Sequence, residues 1–294
     1  MIFSRKKMGA LWIAAALFFA STSPLWARVN FLSFDDISDK AISPQGKIAL
    51  NLDGMNWFHA ETRHFVYHFT SYKDEDVELY YTQAEVYYQW VKELFGVERD
   101  EWNKKSHVFV FTYDGLWKKF NARLQRTLEA QAFTSGWELF INRHPNGLNR
   151  LKTLSHELTH IIVFRFLEGT LPLALNEGFA EFVSYRAMAE KQGLDNSKIK
   201  IIKIINPRDY LQVDRLVAME DYAADPKSVE NFYIESEALV RFLVLKYGGP
   251  NFYTLLREIA KGQSFEQACE RIYKLNPMEL ERKFKNYATQ GVVS

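Results

Sequence analysis

Two histidines and two glutamates in Thr153–Glu181, TLSHELTHIIVFRFLEGTLPLALNEGFAE, carry the chemistry that the rest of the chain must position. His156 and His160 stand four residues apart, so on an α-helix they stack on one face, one turn from each other. Glu157 points about 100° around the helix from His156, near enough to act on whatever the pair holds. Imidazoles at i and i+4 with an intervening glutamate suit zinc, the rings as ligands and the carboxylate as a general base. A hydrolytic zinc takes three protein ligands and keeps one position open. Glu177, in Leu175-Asn176-Glu177-Gly178-Phe179-Ala180-Glu181, is the expected third. Residues 161–176 are enough to finish one helix, turn at Gly169-Thr170-Leu171-Pro172 and start a second helix alongside. Glu181 lies one turn beyond Glu177 and faces the same way. It either fixes a ligand histidine through the second ring nitrogen or is a solvated surface glutamate.

These side chains need a scaffold. Phe65–Phe69, His107–Tyr113 and Trp137–Asn142 read as strands, and Asp74–Phe95 and Leu116–Gln125 as helices. Arg28–Asn56 reads as loop, with a turn at Ser43-Pro44-Gln45-Gly46 and a short strand at Lys47–Leu52. Trp137–Asn142, next to the metal-type helix in sequence, is either a sheet edge that a substrate strand could join or an inner strand. The second motif helix runs to about Lys191. Gln192–Val229 is weakly patterned and suited to wall a cleft. Helices follow at Phe232–Tyr247, Pro250–Ala260, Phe265–Leu275 and Pro277–Tyr287. Strands first and helices later indicate an α+β fold. The expected architecture is an N-terminal mixed-sheet lobe (about 57–190, with both motif helices) and a mainly helical lobe over 191–294. His64 and His68 would lie about 13 Å apart along a strand, too far to share one zinc. His59, His107 and His144 show no partner pattern. Cys269, the single cysteine, shares a helical face with Phe265 and Ile272 and reads as a core thiol.

Residues 1–27 read as a signal peptide, with Arg5-Lys6-Lys7, an apolar Met8–Ala20 and a polar stretch ending at Ala27. The expectation is export to a periplasmic or extracellular location, with residues 28–294 as one domain and no membrane attachment after cleavage. Lys and Arg number 37 against 36 Asp and Glu, a net charge of +1, which gives no basic surface for nucleic acid. With one cysteine, the fold must be held by core packing rather than by disulfides.

The motif pair resembles the gluzincin zinc metallopeptidases, and within them the bacterial peptidase-MA-like family. Thr62–Phe69 is similar to that family's opening strand, and Tyr233–Gly248 to its helix ending in Tyr-Gly. The resemblance implies a zincin-like fold and a zinc ion held by His156, His160 and Glu177. It also implies Glu157 as catalytic base and a peptide or protein as substrate. Gluzincins commonly add a tyrosine or histidine from the lobe after the motif to stabilise the oxyanion. No histidine follows His160, and Tyr233 opens the helix that by resemblance packs beside Glu177, so Tyr233 is the expected donor; Tyr222 is its competitor, and a core residue beside Ile234 is the other reading of Tyr233. The segment Ala218-Met219-Glu220-Asp221 only faintly echoes the amine-gripping motif of aminopeptidases and follows the zinc helix, so aminopeptidase activity is not implied. Two other functions fit the same residues: a non-catalytic envelope protein with a structural zinc, and a zinc hydrolase acting on cell-wall peptides.

Overall fold

The computed structural model describes residues 29–52, 54–71, 76–98, 102–126, 130–143, 147–193, 205–222 and 225–290. The expected signal peptide and His144 lie outside them.

Five strands form one mixed sheet: β1 Phe58–Glu61, β2 Phe65–Phe69, β3 Ser106–Phe111, β4 Ala132–Ser135 and β5 Glu138–Asn142, in the order β1-β2-β3-β5-β4. β2, β3 and β5 run parallel, while β1 and β4 close the two edges antiparallel. Parallel neighbours need long crossovers, and α2 (Asp76–Phe95) and α3 (Asp114–Arg123) lie in them. β4 and β5 are joined by Gly136-Trp137, with Gly136 at φ +59° in the left-handed region such a tight turn uses. Trp137 is thus in the turn, and β5 is an inner strand. The edge on this side of the sheet is β4, which the hydrophobic pattern did not reveal because only four residues form it.

The period-2 alternation of the strands separates two apolar layers. Phe65, Tyr67, Val108, Val110, Leu139 and Ile141 face the larger one, shared with α2 and with the helices that follow the sheet. Phe109, Phe111, Phe133 and Phe140 face the other, with Trp117 and Phe120 of α3 and Ala49 of α1 (Pro44–Leu50). α1 replaces the expected short strand. Ser43 caps it by accepting the Gly46 N–H at 3.0 Å, and Pro44 opens it. The buried Glu138 carboxylate accepts the Ser43 N–H and hydroxyl from 95 residues away. A negative group at that helix end favours helix over strand.

Beyond the sheet come α4 (Gly147–Leu167), α5 (Leu173–Lys191), α6 (Val213–Val217), α7 (Pro226–Tyr247), α8 (Gly249–Ala260), α9 (Phe265–Tyr273) and α10 (Pro277–Gln290). With the five-stranded sheet these make an α+β, zincin-like architecture. α7 starts six residues before the expected Phe232. Asp225 accepts the Ser228 N–H at 2.9 Å, and Pro226 occupies the first turn. Tyr233 is therefore inside the helix rather than at its start. Cys269 is buried in the core. No helix among the described residues is long and apolar enough to cross a membrane.

Candidate metal centre

α4 buries Leu151, Leu154, Leu158, Ile161 and Ile162 and turns His156 and His160 the other way. It ends at a turn with Glu168 at φ +50°, after which α5 runs back alongside. α5 is pinned from behind by α7. A Cβ on Gly178 would meet Ser236 O of α7 at 2.2 Å, so only glycine allows the two backbones to touch there. That contact sets the position of Glu177, one residue earlier.

Glu177 Oε2 lies 3.2 Å from His156 Nε2, and Glu177 Oε1 lies 3.7 Å from His160 Nε2. The two Nε2 atoms are 3.2 Å apart. The three ligand-type atoms lie within 4.8 Å of one another. Tetrahedral zinc with bonds of about 2.0–2.1 Å would set its ligand atoms about 3.3 Å apart, close to this spacing.

The other ring nitrogens are occupied. His160 Nδ1 donates to Asn176 Oδ1 at 3.1 Å. His156 Nδ1 lies 3.0 Å from Glu181 Oε1, a charge contact rather than an aligned hydrogen bond. Lys152 Nζ holds the other Glu181 oxygen at 3.1 Å. With the Nδ1 atoms as donors, two Nε2 lone pairs and a carboxylate converge on one point with no donor between them. A cation satisfies all three, so the donor set fits zinc. Where no metal is bound, a proton on His156 takes the cation's place. Burial alone would lower His156, but Glu177 and Glu181 outweigh it and raise it to about 9. Burial and the neighbouring His156 charge lower His160 to about 4.

Glu157 is a half-buried carboxyl beside this cluster. Loss of hydration pushes it up to about 7, with Glu177 adding to the rise and His156 opposing it. Tyr233 comes within a ring-centroid distance of 6.4 Å of His156. Tyr222 stacks on Tyr233 at 5.8 Å, and its hydroxyl interacts with both Glu177 and Tyr233. Burial raises both phenols, Tyr233 to about 12, so both are protonated donors at neutral pH.

Two cavities flank Asn176. One, of about 250 Å³, is lined by His160, Val163, Phe164 and Leu171 of the helical hairpin and by Thr134 and Gly136 of the free sheet edge and its turn. The other, of about 440 Å³, is bounded by Leu171–Leu173 and by Val217–Glu220 at the end of α6. The segment before α7 therefore walls the site. Asn176 escaped the sequence reading, although it directly precedes Glu177 in the motif. Tyr222 carried no local signal beyond being a phenol in an irregular stretch.

No curated protein matches the sequence. Among solved structures the chain is similar to the native leukotriene A4 hydrolase of Saccharomyces cerevisiae, at 14% identity and a TM-score of 0.45 over 74% of this chain and 36% of that one. It is also similar to the M1 zinc metallopeptidase of Deinococcus radiodurans, at 15% identity and a TM-score of 0.45 over 80% of this chain and 52% of that one. The chain thus spans between about a third and about half of the length of these proteins. The Peptidase MA superfamily matches residues 130–290, a stretch that contains α4, α5 and every residue of the cluster, and the chain belongs to that superfamily.

Proposed function

We propose that the chain is an exported zinc peptidase, with residues 28–294 as its single domain, His156, His160 and Glu177 as metal ligands and Glu157 as general base. The observation that carries this is the convergence of two imidazole Nε2 atoms and one carboxylate, each oriented from behind, on a point that borders an open cavity. A structural zinc would close all four positions with protein ligands. Three ligands beside a half-buried carboxyl favour catalysis. Export rests on the sequence of residues 1–27 alone.

Zinc bound there supplies a Lewis acid that polarises the scissile carbonyl and acidifies water. Asn176 holds His160 in the tautomer that presents Nε2, and the Glu181 charge beside Nδ1 favours the same tautomer in His156. Glu157 accepts a proton from the attacking water at its carboxylate and passes it to the leaving amine. Its raised proton affinity, near the working pH, suits both halves of that transfer. Tyr233, or Tyr222 stacked on it, offers the neutral O–H donor for the oxyanion. An extended substrate strand would pair with the free edge β4, whose Thr134 shares a cavity with His160.

Elemental analysis of the purified protein tests the ligand set, with one zinc per chain expected. Glu157→Gln keeps the size of the side chain and all three ligands, so zinc content and stability should stay near wild type. Turnover of a peptide library should fall by about 10²–10⁴-fold. A wild-type protein that takes up no zinc would end the proposal. Unchanged turnover in Glu157→Gln would remove Glu157 as base. Cross-linked cell-wall peptides, run beside the library, separate a protein substrate from a cell-wall one.

A further inference from the structure

The face of the sheet turned away from α4 and α5 holds a second polar system that this mechanism does not use. His59 of β1, His68 of β2 and His107 of β3 are 7%, 0% and 1% exposed. His59 Nδ1 lies 2.8 Å from His68 Nδ1, and His68 Nε2 lies 2.9 Å from His107 Nδ1. Strand register brings them together, which sequence spacing could not show. Burial keeps all three neutral, lowering His59 and His107 to about 4 and holding His68 well below the usual imidazole range.

A neutral chain of three imidazoles can be polarised in two directions. In one, protons run from His59 towards His107 and leave an N–H on His107 Nε2, which is buried without a partner. Orphaned buried N–H groups are rare and costly. Asp39, whose charge is felt at His107, already has its oxygens on the Ala41 and Lys105 N–H groups. The opposite direction leaves His107 Nε2 as a bare lone pair and puts the N–H on His59 Nε2. This second direction is the favoured one.

His59 lines a cavity of about 790 Å³ between the sheet and the segment that covers it. Its charged lining groups among the described residues are Lys40 and Lys47, with no carboxylate. Its apolar walls include Phe34, Met55 and Trp57. Lys40 Nζ spends one donor on the Asp35 carbonyl at 2.6 Å and keeps two. The cavity thus offers two cations and an imidazole N–H beside an aromatic wall, within the ~300–1,000 Å³ usual for small-molecule sites.

We propose that this cavity binds an anionic amphiphile, a carboxylate or phosphate head on an apolar body. The head sits against Lys40, Lys47 and His59 Nε2, and the body lies along Phe34, Met55 and Trp57. An acceptor at His59 locks the chain in the polarity that spares His107 its orphan donor.

Isothermal titration calorimetry of the full chain with decanoate, decyl phosphate, decanol and inorganic phosphate tests the site. At least one anionic amphiphile should bind one per chain, and the tighter of the two identifies the head. Decanol should bind at least about tenfold more weakly, and inorganic phosphate alone should not saturate. The double variant Lys40→Gln, Lys47→Gln changes two exposed side chains and leaves the core intact. It should weaken the anion by about tenfold or more and leave decanol unchanged. Nitrogen-15 spectra of the bound protein should show His59 protonated at Nε2 and His107 at Nδ1. Equal binding of decanol and decanoate, indifference to the lysine variant, or no binding of either amphiphile at millimolar concentration would overturn the proposal.

Discussion

Gly178→Ala tests whether the contact of α5 with α7 sets the metal centre. In an ordinary exposed helix the change would stabilise by about 1 kcal/mol, because alanine is the better helix former. Here the new methyl would sit 2.2 Å from Ser236 O and 2.5 Å from Ser236 C, with Val240 Cγ2 at 3.0 Å. An ordinary carbon contact begins at about 3.5 Å, so α7 must retreat by about 1 Å. The obstacle is backbone and cannot swing aside. Overpacking of this kind costs about 1–3 kcal/mol, and rigid atoms put it at the upper end. Less the propensity gain, the net loss is about 2 kcal/mol, or about 3–4 °C in Tm for a chain of this size. α5, pushed apart from α7, carries Glu177 on one side of the glycine and Glu181 three residues beyond it, so zinc affinity should fall with stability. Gly115→Ala in α3 is the control, since nothing lies within 4 Å of its added methyl and its φ is ordinary. That variant should be neutral or slightly stabilised. Urea unfolding and a competitive zinc titration read both effects. A Gly178→Ala protein as stable as wild type, with unchanged zinc affinity, would refute the reasoning.

Tyr233→Phe and Tyr222→Phe each keep a ring and delete a donor. Whichever phenol serves the oxyanion should lose about 10–10³-fold in turnover with zinc content unchanged, and steady-state kinetics of the pair assigns the role. Full activity in both would remove phenol donors from the mechanism. Glu235 of α7 is 1% exposed, accepts the Leu211 N–H at 2.9 Å with one oxygen and leaves the other without a partner. Burial first, then the charges of Asp209 and Glu281, push it from 4.5 up to about 7. It is protonated in the fold where the unfolded chain is already ionised. The stability linked to its neutral form is complete below about 4.5, declines as pH rises and is gone above about 7. The span of about 2.5 units corresponds to an upper limit of about 3–4 kcal/mol. Glu235→Gln should flatten that part of the stability profile, and urea midpoints at pH values of about 4 and about 8 check it. An unchanged slope would show that Glu235 titrates normally.

Some of this site was written locally and some was not. The spacing of His156, Glu157 and His160 and the N-E-G run around Glu177 are helical statements within some twenty residues, legible without any partner. The two motif helices and the turn between them follow from the same pattern. Elements fixed by distant partners were not legible. α1 read as a turn and a strand because its helical start depends on Glu138, 95 residues later. β4 is too short to show alternation and exists through its pairing with β5, so the pattern left Trp137–Asn142 open between edge and inner strand. The histidine chain is invisible in sequence because strand register, not spacing, makes His59, His68 and His107 neighbours.

The same contrast explains why α5 packs so many tasks into six residues. Asn176 orients His160, Glu177 faces both histidines, Gly178 lets α7 touch the backbone, and Glu181 reaches His156. On a helix these positions lie at about 100° steps, so Asn176 and Glu177 look towards α4 while Gly178 looks back at α7. Glu181 returns to the side of Glu177 one turn later. A side chain larger than hydrogen at 178 would act on the ligands without touching any of them. The run Asn176–Glu181 is therefore a packing instruction as much as a ligand motif: α7 must press on Gly178 for Glu177 and Glu181 to reach both rings.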